Sequence, residues 1–267
     1  LDLTGSFNAG LENPQIGDRR LWPSIADDPD DTPLQRLPAG DVQFWGIPFQ
    51  LSTASASKRF VLVCQEGASV IPNSVTVPVG CEARRLLFAH VCAPVGNESP
   101  TLDGAGEPIG EYRIQFEDGS ESVQHLRRRF EVHDLEIPWG HHPFCCRNCQ
   151  LFRAVPVHDR NLVWGRAQTG VYNGTLDNQA SDQDGWWLFD WENPSPEKTI
   201  VEVQISAVGP TALALGAITV CNEDSDPLRW VARKEVAVSV EGTADTPPQV
   251  EMDRGVIARQ DDLLVPG

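Results

Sequence analysis

Basic residues are scarce in this chain: 21 Lys and Arg stand against 38 Asp and Glu, a formal charge of −17 at neutral pH. A surface this acidic has no basic field to draw phosphates, which argues against nucleic-acid and anionic-membrane partners. Long apolar runs are missing too. No stretch approaches the roughly 20 consecutive apolar residues needed to cross a bilayer, so no membrane insertion is expected. Catalytic motifs that spacing alone can reveal are lacking: there is no G-x-S-x-G, H-E-x-x-H, P-loop or G-x-G-x-x-G. A glycosidase carboxylate pair is defined by its separation across a cleft, which sequence does not give. Methionine occurs once, at Met252, and not at position 1. The chain is therefore expected to start at a cleavage point, an engineered boundary or a mature terminus, with any signal peptide already gone.

Cysteine is also sparse. Seven in 267 residues are odd in number and too few for a disulfide scaffold of this size. Cys64, Cys92 and Cys221 lie in apolar strand-like runs, where a buried thiol packs as a small hydrophobe. Asn97-Glu98-Ser99 and Asn173-Gly174-Thr175 match glycosylation sequons that matter only in a eukaryotic secretory host. The compartment stays open, with a secreted or cell-surface location favoured.

What the chain does contain is short bursts of aliphatic and β-branched residues, with 22 Gly and 21 Pro between them. That pattern predicts an all-β fold of many short strands joined by turns. LDLTGSFN (1–8) reads as a first strand ending in a turn, and the acidic, proline-bearing stretch 10–38 as a surface loop. Strands are then expected at 42–51, 59–64, 74–80, 84–93, 110–120 and 121–132, and again at 186–191, 200–208 and 212–221. In YRIQFEDGSESVQHL, Tyr112, Ile114 and Phe116 alternate into a core, and Asp118-Gly119 supplies the positive φ of a tight hairpin turn. Arg127, Arg128 and Arg129 form the one basic run, read as a solvated cluster rather than an anion site. Residues 1–222 form one predicted sandwich. Residues 223–267 read as a linker and an appended strand segment, the edge of a following domain.

Several segments in order resemble a galactose-binding-like β-sandwich found as a module in bacterial carbohydrate-active proteins. They are Asp2-Leu3 and Asn8, then Leu37-Pro38-Ala39-Gly40 with Phe44-Trp45-Gly46-Ile47-Pro48-Phe49, then Val77-Pro78-Val79-Gly80 and Leu87-Phe88-Ala89-His90. Tyr112-Arg113-Ile114 through Asp118-Gly119-Ser120, Trp191-Glu192-Asn193-Pro194-Ser195-Pro196 and Ala217-Ile218-Thr219 complete the set. The resemblance implies an antiparallel sandwich of jelly-roll type, with long irregular loops and a ligand edge at one end. It supplies no catalytic residues. His90, inside an apolar strand, is expected to be a hydrogen-bonded core residue rather than a ligand.

The chemically unusual block is WGHHPFCCRNC (139–149), which gathers His141, His142, Cys145, Cys146 and Cys149. Cys146 and Cys149 have the C-x-x-C spacing that grips a tetrahedral zinc, with His141 or Cys145 as a third ligand. The same pair fits a redox disulfide, and a local disulfide with Cys81 or another cysteine is a third reading. Sugar recognition uses flat aromatic faces with carboxylates, amides and Arg around them. Trp139, Trp164, Arg166, Tyr172, Asp184, Trp186 and Asp190 are candidates of those types, together with His141 and His142. In WWLFDW, alternation sends Trp187, Phe189 and Trp191 to a core face and leaves Trp186, beside Asp190, as the better candidate for exposure. The acidic stretches Asp27–Asp31, Asp177–Asp184 and Glu223–Asp226 are candidates for a structural calcium, though none has the spacing of a known calcium loop.

The leading expectation is a non-catalytic carbohydrate-binding or scaffolding module, with a glycan and the neighbouring domains of a larger protein as partners. The alternatives are a polysaccharide-processing lyase, hydrolase or isomerase using the His/Cys loop, and a structural assembly domain with a Trp-rich edge.

Overall fold

The computed structural model describes residues 1–10, 15–16, 19–21, 34, 37–53, 55, 57–65, 71–94, 104–135, 143–149, 185–209 and 211–228. Within them the chain is all-β. Its strands are β1 (Gln15–Ile16), β2 (Arg19–Arg20), β3 (Asp41–Phe44), β4 (Ile47–Gln50), β5 (Val61–Val63), β6 (Ser74–Glu82) and β7 (Arg85–Pro94). They continue with β8 (Pro108–Phe116), β9 (Glu121–Arg127), β10 (Arg147–Asn148), β11 (Trp187–Glu192), β12 (Thr199–Ala207) and β13 (Thr211–Cys221). Every strand pairing is antiparallel.

Two sheets carry the fold, ordered β10-β11-β7-β13-β5 and β6-β12-β8-β9, with β1-β2 and β3-β4 as separate hairpins. The chain switches sheet at β5→β6, β6→β7, β7→β8, β9→β10, β11→β12 and β12→β13. With the short β10 set aside, eight strands run 5-13-7-11 in one layer and 6-12-8-9 in the other. This is the winding of a jelly roll.

Alternation explains the layer β6-β12-β8-β9. Ile200, Val203, Ile205 and Ala207 of β12 point inward, as do Tyr112, Ile114 and Phe116 of β8. The register shift between Ile200 and Glu202 leaves Val201 outside, 44% exposed. On the outer face Arg113 bridges Glu111 at 3.0 Å and Glu121 at 2.6 Å. Across the core, Phe88 of β7 stacks on Tyr112 with ring centroids 4.1 Å apart. Full burial of a large apolar side chain is worth about 1.5–3 kcal/mol, so such inter-layer contacts hold the sheets together.

The other layer is buried on both faces. Leu86, Phe88 and His90 face the core, yet Leu87, Ala89 and Val91 on the opposite face are equally inaccessible. The hairpin β3-β4 covers part of that outer face: Thr219 Oγ1 donates to the Pro48 carbonyl at 2.6 Å, and Trp45 Nε1 to the Asn148 carbonyl at 2.8 Å. The segment 42–51, read from sequence as one strand, is in fact this hairpin, turning on Trp45 (φ +57°) and Gly46 (φ +75°). A two-residue turn with both φ positive matches the twist of the flanking strands. The N-terminal segment also differs from expectation. Thr4–Ser6 form a 3-10 turn, and a single bridge joins Ala9 to Phe60.

The Asp118-Gly119 hairpin forms as expected. Gly119 has φ +81°, Asp118 Oδ1 accepts from the Ser120 amide at 2.9 Å, and Lys198 Nζ lies 2.7 Å from Asp118 Oδ2. After β13, residues 222–228 fold back on the end of the sandwich, where Leu228 is buried. The expected strand beyond them, 230–242, lies outside the described residues.

Candidate functional site

Trp139, His141, His142, Trp164, Arg166, Tyr172 and Asp184 lie outside the described residues, as do the acidic stretches 27–31 and 177–184. Trp186 is described, and it is not the exposed platform expected from alternation. Only 2% of it is accessible. Its indole meets Phe60 edge-on at 6.3 Å and lies over Gly216, where a Cβ would stand 2.6 Å from the ring. Gly216 is the extra residue in the β13–β7 register between Leu215 and Ala217, so a bulge without a side chain makes the slot that takes the indole. The period-two reading put Trp186 and Asp190 on the face away from the core correctly. That face is itself covered, which alternation within one strand does not reveal.

The Cys block gives no assembled metal centre among the described residues, where no group of three or more metal-ligating side chains stands together. Cys145 is exposed, Cys146 and Cys149 are buried, and none of the seven cysteines, all described, is joined in a disulfide. Burial pushes the Cys146 thiol well up, with Cys145 adding to the effect. That is opposite to the depressed thiol a redox pair uses. The block's structural role is visible: the Cys146 amide donates to the Phe130 carbonyl at 2.8 Å and the Cys149 amide to the Trp186 carbonyl at 2.9 Å.

The triple-Arg run is not a solvated cluster. Arg128 is buried, its Nη1 on Asp134 Oδ1, its Nε 2.9 Å from Glu107 Oε2 and its Nη2 3.0 Å from Thr211 Oγ1. Arg127 forks onto Glu131, with Nη2 to Oε1 at 2.5 Å and Nε to Oε2 at 3.1 Å. Around Asp134 stand Cys92, whose Sγ is 3.7 Å from Oδ1, and His133, giving a set with the composition of a nucleophile, a base and an acid. Its environment removes that chemistry. Cys92 is wholly buried, and burial, with Asp134 beside it, pushes its thiol well above the ordinary value. The set is a structural network at one end of β7. His90 is likewise structural, as expected: fully buried, it meets the Tyr112 hydroxyl at 2.6 Å and the Glu131 carbonyl at 2.9 Å.

At the opposite end of β7 lies a groove of about 530 Å³. Three strand ends build it: Arg84 and Arg85 at the start of β7, Glu192 and Asn193 at the end of β11, and Glu223 and Asp224 after β13. Arg85 is its organising group. Nη1 lies 2.5 Å from Asp190 Oδ2 and Nη2 3.3 Å from Glu192 Oε2, while Nε and Nη2 donate to the carbonyls of Glu223 at 3.3 Å and Asp224 at 3.2 Å. Burial works against this guanidinium, but Asp190, Glu192 and Asp226 together push its pKa up, so it stays charged. Arg84 Nη1 pairs with Asp224 Oδ1 at 2.8 Å. Asn193 fixes the floor, its Nδ2 donating to the Ala83 carbonyl at 2.7 Å and its Oδ1 accepting from the Ser195 amide at 2.9 Å.

Asp190, the one candidate of the expected ligand set that stands here, is buried beneath the groove. Burial pushes its carboxyl up to about 6; Arg85 opposes that rise and Asp226 adds to it. Arg84, Arg85, Glu192 and Asn193 were not singled out as site residues from sequence, and Asp224 only as part of the calcium candidate Glu223–Asp226. The available signal was charged residues at the start of the apolar run RRLLFAHVCA and at the end of WWLFDWEN. In Glu223–Asp226, Asp224 is engaged with Arg84 and Asp226 Oδ1 caps the Leu228 amide at 2.7 Å. Compared with protein-family models, curated proteins and solved structures, the chain matches none.

Proposed function

We propose that this chain is a non-catalytic carbohydrate-binding or scaffolding module of a larger carbohydrate-active protein, and that the groove at the Arg85 end of the sandwich takes a neutral, hydroxyl-rich ligand. The observation that carries the reading is that both guanidiniums lining a groove of ligand size already have carboxylate partners. Arg84 is paired with Asp224, and Arg85 with Asp190 and Glu192. An anionic ligand would have to displace Glu192 or Asp224 from its arginine, in a lining where carboxylates outnumber guanidiniums. A polyol instead bonds the outward lone pairs and N–H groups without breaking either pair. The volume of about 530 Å³ falls in the usual range for small-molecule sites and suits roughly one or two pyranose rings.

Arg84 and Glu192 are the reporters of choice, because their side chains are 52% and 74% exposed and their truncation leaves the core intact. Affinity electrophoresis through gels carrying neutral polysaccharides, with Arg84→Ala and Glu192→Ala as controls, tests the reading. Retention of the wild type, weakened about tenfold in each variant, is expected, since a lost hydrogen bond to a charged group costs ~1.5 kcal/mol or more. Equal retention of both variants would move the site elsewhere. No retention on any polysaccharide would reduce the module to a packing domain that contacts its neighbours.

A further inference from the structure

At the end of the sandwich away from the groove, β9 runs out into residues 128–131 and the segment 143–149 folds against them. Phe144 is 58% exposed, the most exposed large hydrophobic side chain among the described residues. It does not stand alone. Its ring lies 4.8 Å from that of Phe130, the Arg127 guanidinium sits 4.3 Å over Phe130, and the Arg129 guanidinium 5.5 Å over Phe144. Arg147 adds a third guanidinium, its Nη1 3.1 Å from the Cys146 carbonyl. Single apolar side chains on a surface are ordinary. Two aromatic rings interleaved with arginines instead have the composition that marks a protein interface.

The backbone holds this patch in place. The Phe144 amide donates to the Arg129 carbonyl at 2.7 Å, and the amides of Cys145 and Cys146 donate to the Phe130 carbonyl at 3.1 and 2.8 Å. The buried Cys146 anchors the segment beside them. Arg129 has φ +66°, a left-handed conformation that residues other than Gly, Asn and Asp adopt rarely and at a cost. Its amide is fixed there by the Val132 carbonyl at 2.7 Å, and the side chain it projects is the one that lies over Phe144. Rings held in advance lose little freedom when a partner covers them.

The charges that face outward set the chemistry of the partner. Glu131, the carboxylate that Arg127 holds, is turned inward: its side chain is 6% exposed, against 45% for Arg127. Arg127, Arg129 and Arg147 therefore border the rings on the outside. A guanidinium stacked on a ring keeps its N–H donors in its own plane, where a carboxylate can meet them. The chain's charge of −17 does not oppose this, because charges more than about 8 Å away are largely screened at physiological salt. We propose that this patch docks an acidic peptide segment carrying apolar side chains. An acidic polysaccharide fits less well, since each ring already lies against the other and beneath a guanidinium. A sugar needs an open flat face, whereas an aliphatic side chain packs against ring edges. The surface does not depend on what the groove binds.

Fluorescence anisotropy of a labelled octapeptide of leucine and glutamate, titrated with the full chain, tests it. Saturable binding is expected, weakened about tenfold by Phe144→Ala, the size of effect that truncating an aromatic anchor produces. Binding should also weaken when salt is raised from about 0.1 M to about 1 M, which cuts the Debye length from about 10 Å to about 3 Å. Cys145, the one exposed cysteine of the seven, gives a local readout that needs no variant: bound peptide should slow its alkylation. Arg84→Ala and Glu192→Ala should bind the peptide as the wild type does, which separates this surface from the groove. Absence of peptide binding, or equal binding by Phe144→Ala, would overturn the proposal. So would binding that leaves Cys145 alkylation unchanged, equal binding of a leucine–lysine octapeptide, or retention of polygalacturonate in preference to the peptide.

Discussion

His90 makes the stability of the sandwich depend on pH in a way that one substitution isolates. Its ring lies between the layers, 5.9 Å from the Tyr112 ring and 6.2 Å from that of Phe189. The Glu131 carbonyl can only accept, so Nε2 carries the hydrogen, and Nδ1 accepts from the Tyr112 hydroxyl. Protonation would place a second N–H against that hydroxyl and a charge in the core. Burial therefore lowers the His90 pKa from 6.5 to about 4, with the Glu131 carbonyl partly opposing. The unfolded chain takes up this proton first. Stability is fully present above about pH 6.5 and is lost as pH falls toward 4, where the folded state also protonates. The whole window is worth about 3 kcal/mol, and roughly half of that is lost by about pH 5.2. That pH stays above the isoelectric point of about 4.6, so the protein keeps a net charge. His90→Gln retains a donor and an acceptor but does not titrate. Urea unfolding followed by tryptophan fluorescence, for both proteins near pH 7.5 and pH 5.2, gives the stability difference at each pH. The wild type should lose about 2 kcal/mol more than the variant over this interval, and the contribution of Asp190, common to both, cancels. A difference independent of pH would show that the histidine is solvated or charged in the fold, and would refute the argument.

Two further substitutions probe features of the fold directly. Gly216→Ala places a methyl 2.6 Å from the Trp186 ring and should cost about 1–3 kcal/mol, seen as a lowered denaturation midpoint with a changed near-UV tryptophan signal. Arg128→Met leaves Asp134 as a buried charge without its main partner and should cost about 3–5 kcal/mol in thermal unfolding, part of it recovered by adding Asp134→Asn.

The layers of this fold were legible because burial on one side writes a period of two into the chain. β8, β9 and β12 show it plainly, and the Asp118-Gly119 turn fixes their pairing. The second layer was harder to read. Its outer face is covered by the hairpin β3-β4, a contact between residues 41–50 and 211–221 that no local window records. Trp186 likewise looked exposable and is not, because Phe60 and the bulge at Gly216 take its indole. One sign was present: Gly216 interrupts an otherwise apolar strand, which in such a place marks a bulge or a close approach. The groove was hidden for a related reason. Its charges come from three strand ends separated by up to 140 positions, and only the jelly-roll winding brings them together. The buried Arg128 shows the reverse error, a charge run read as solvated when its partners Glu107, Asp134 and Thr211 were all out of local view.

The winding also dictates when folding can finish. β12 lies between β6 and β8, and β13 between β5 and β7, so the last two strands of the sandwich fill the middle of both layers. Until the ribosome has released residue 207 one layer has a gap flanked by unpaired backbone, and until residue 221 so does the other. β7, with eight apolar or small residues among its ten, then has only β11 of its two eventual neighbours. Such a chain closes late, through contacts of long sequence separation, and exposes open strand edges while it waits. Its yield in expression should therefore depend on what shields β5 and β7 during synthesis more than on the stability of the finished fold.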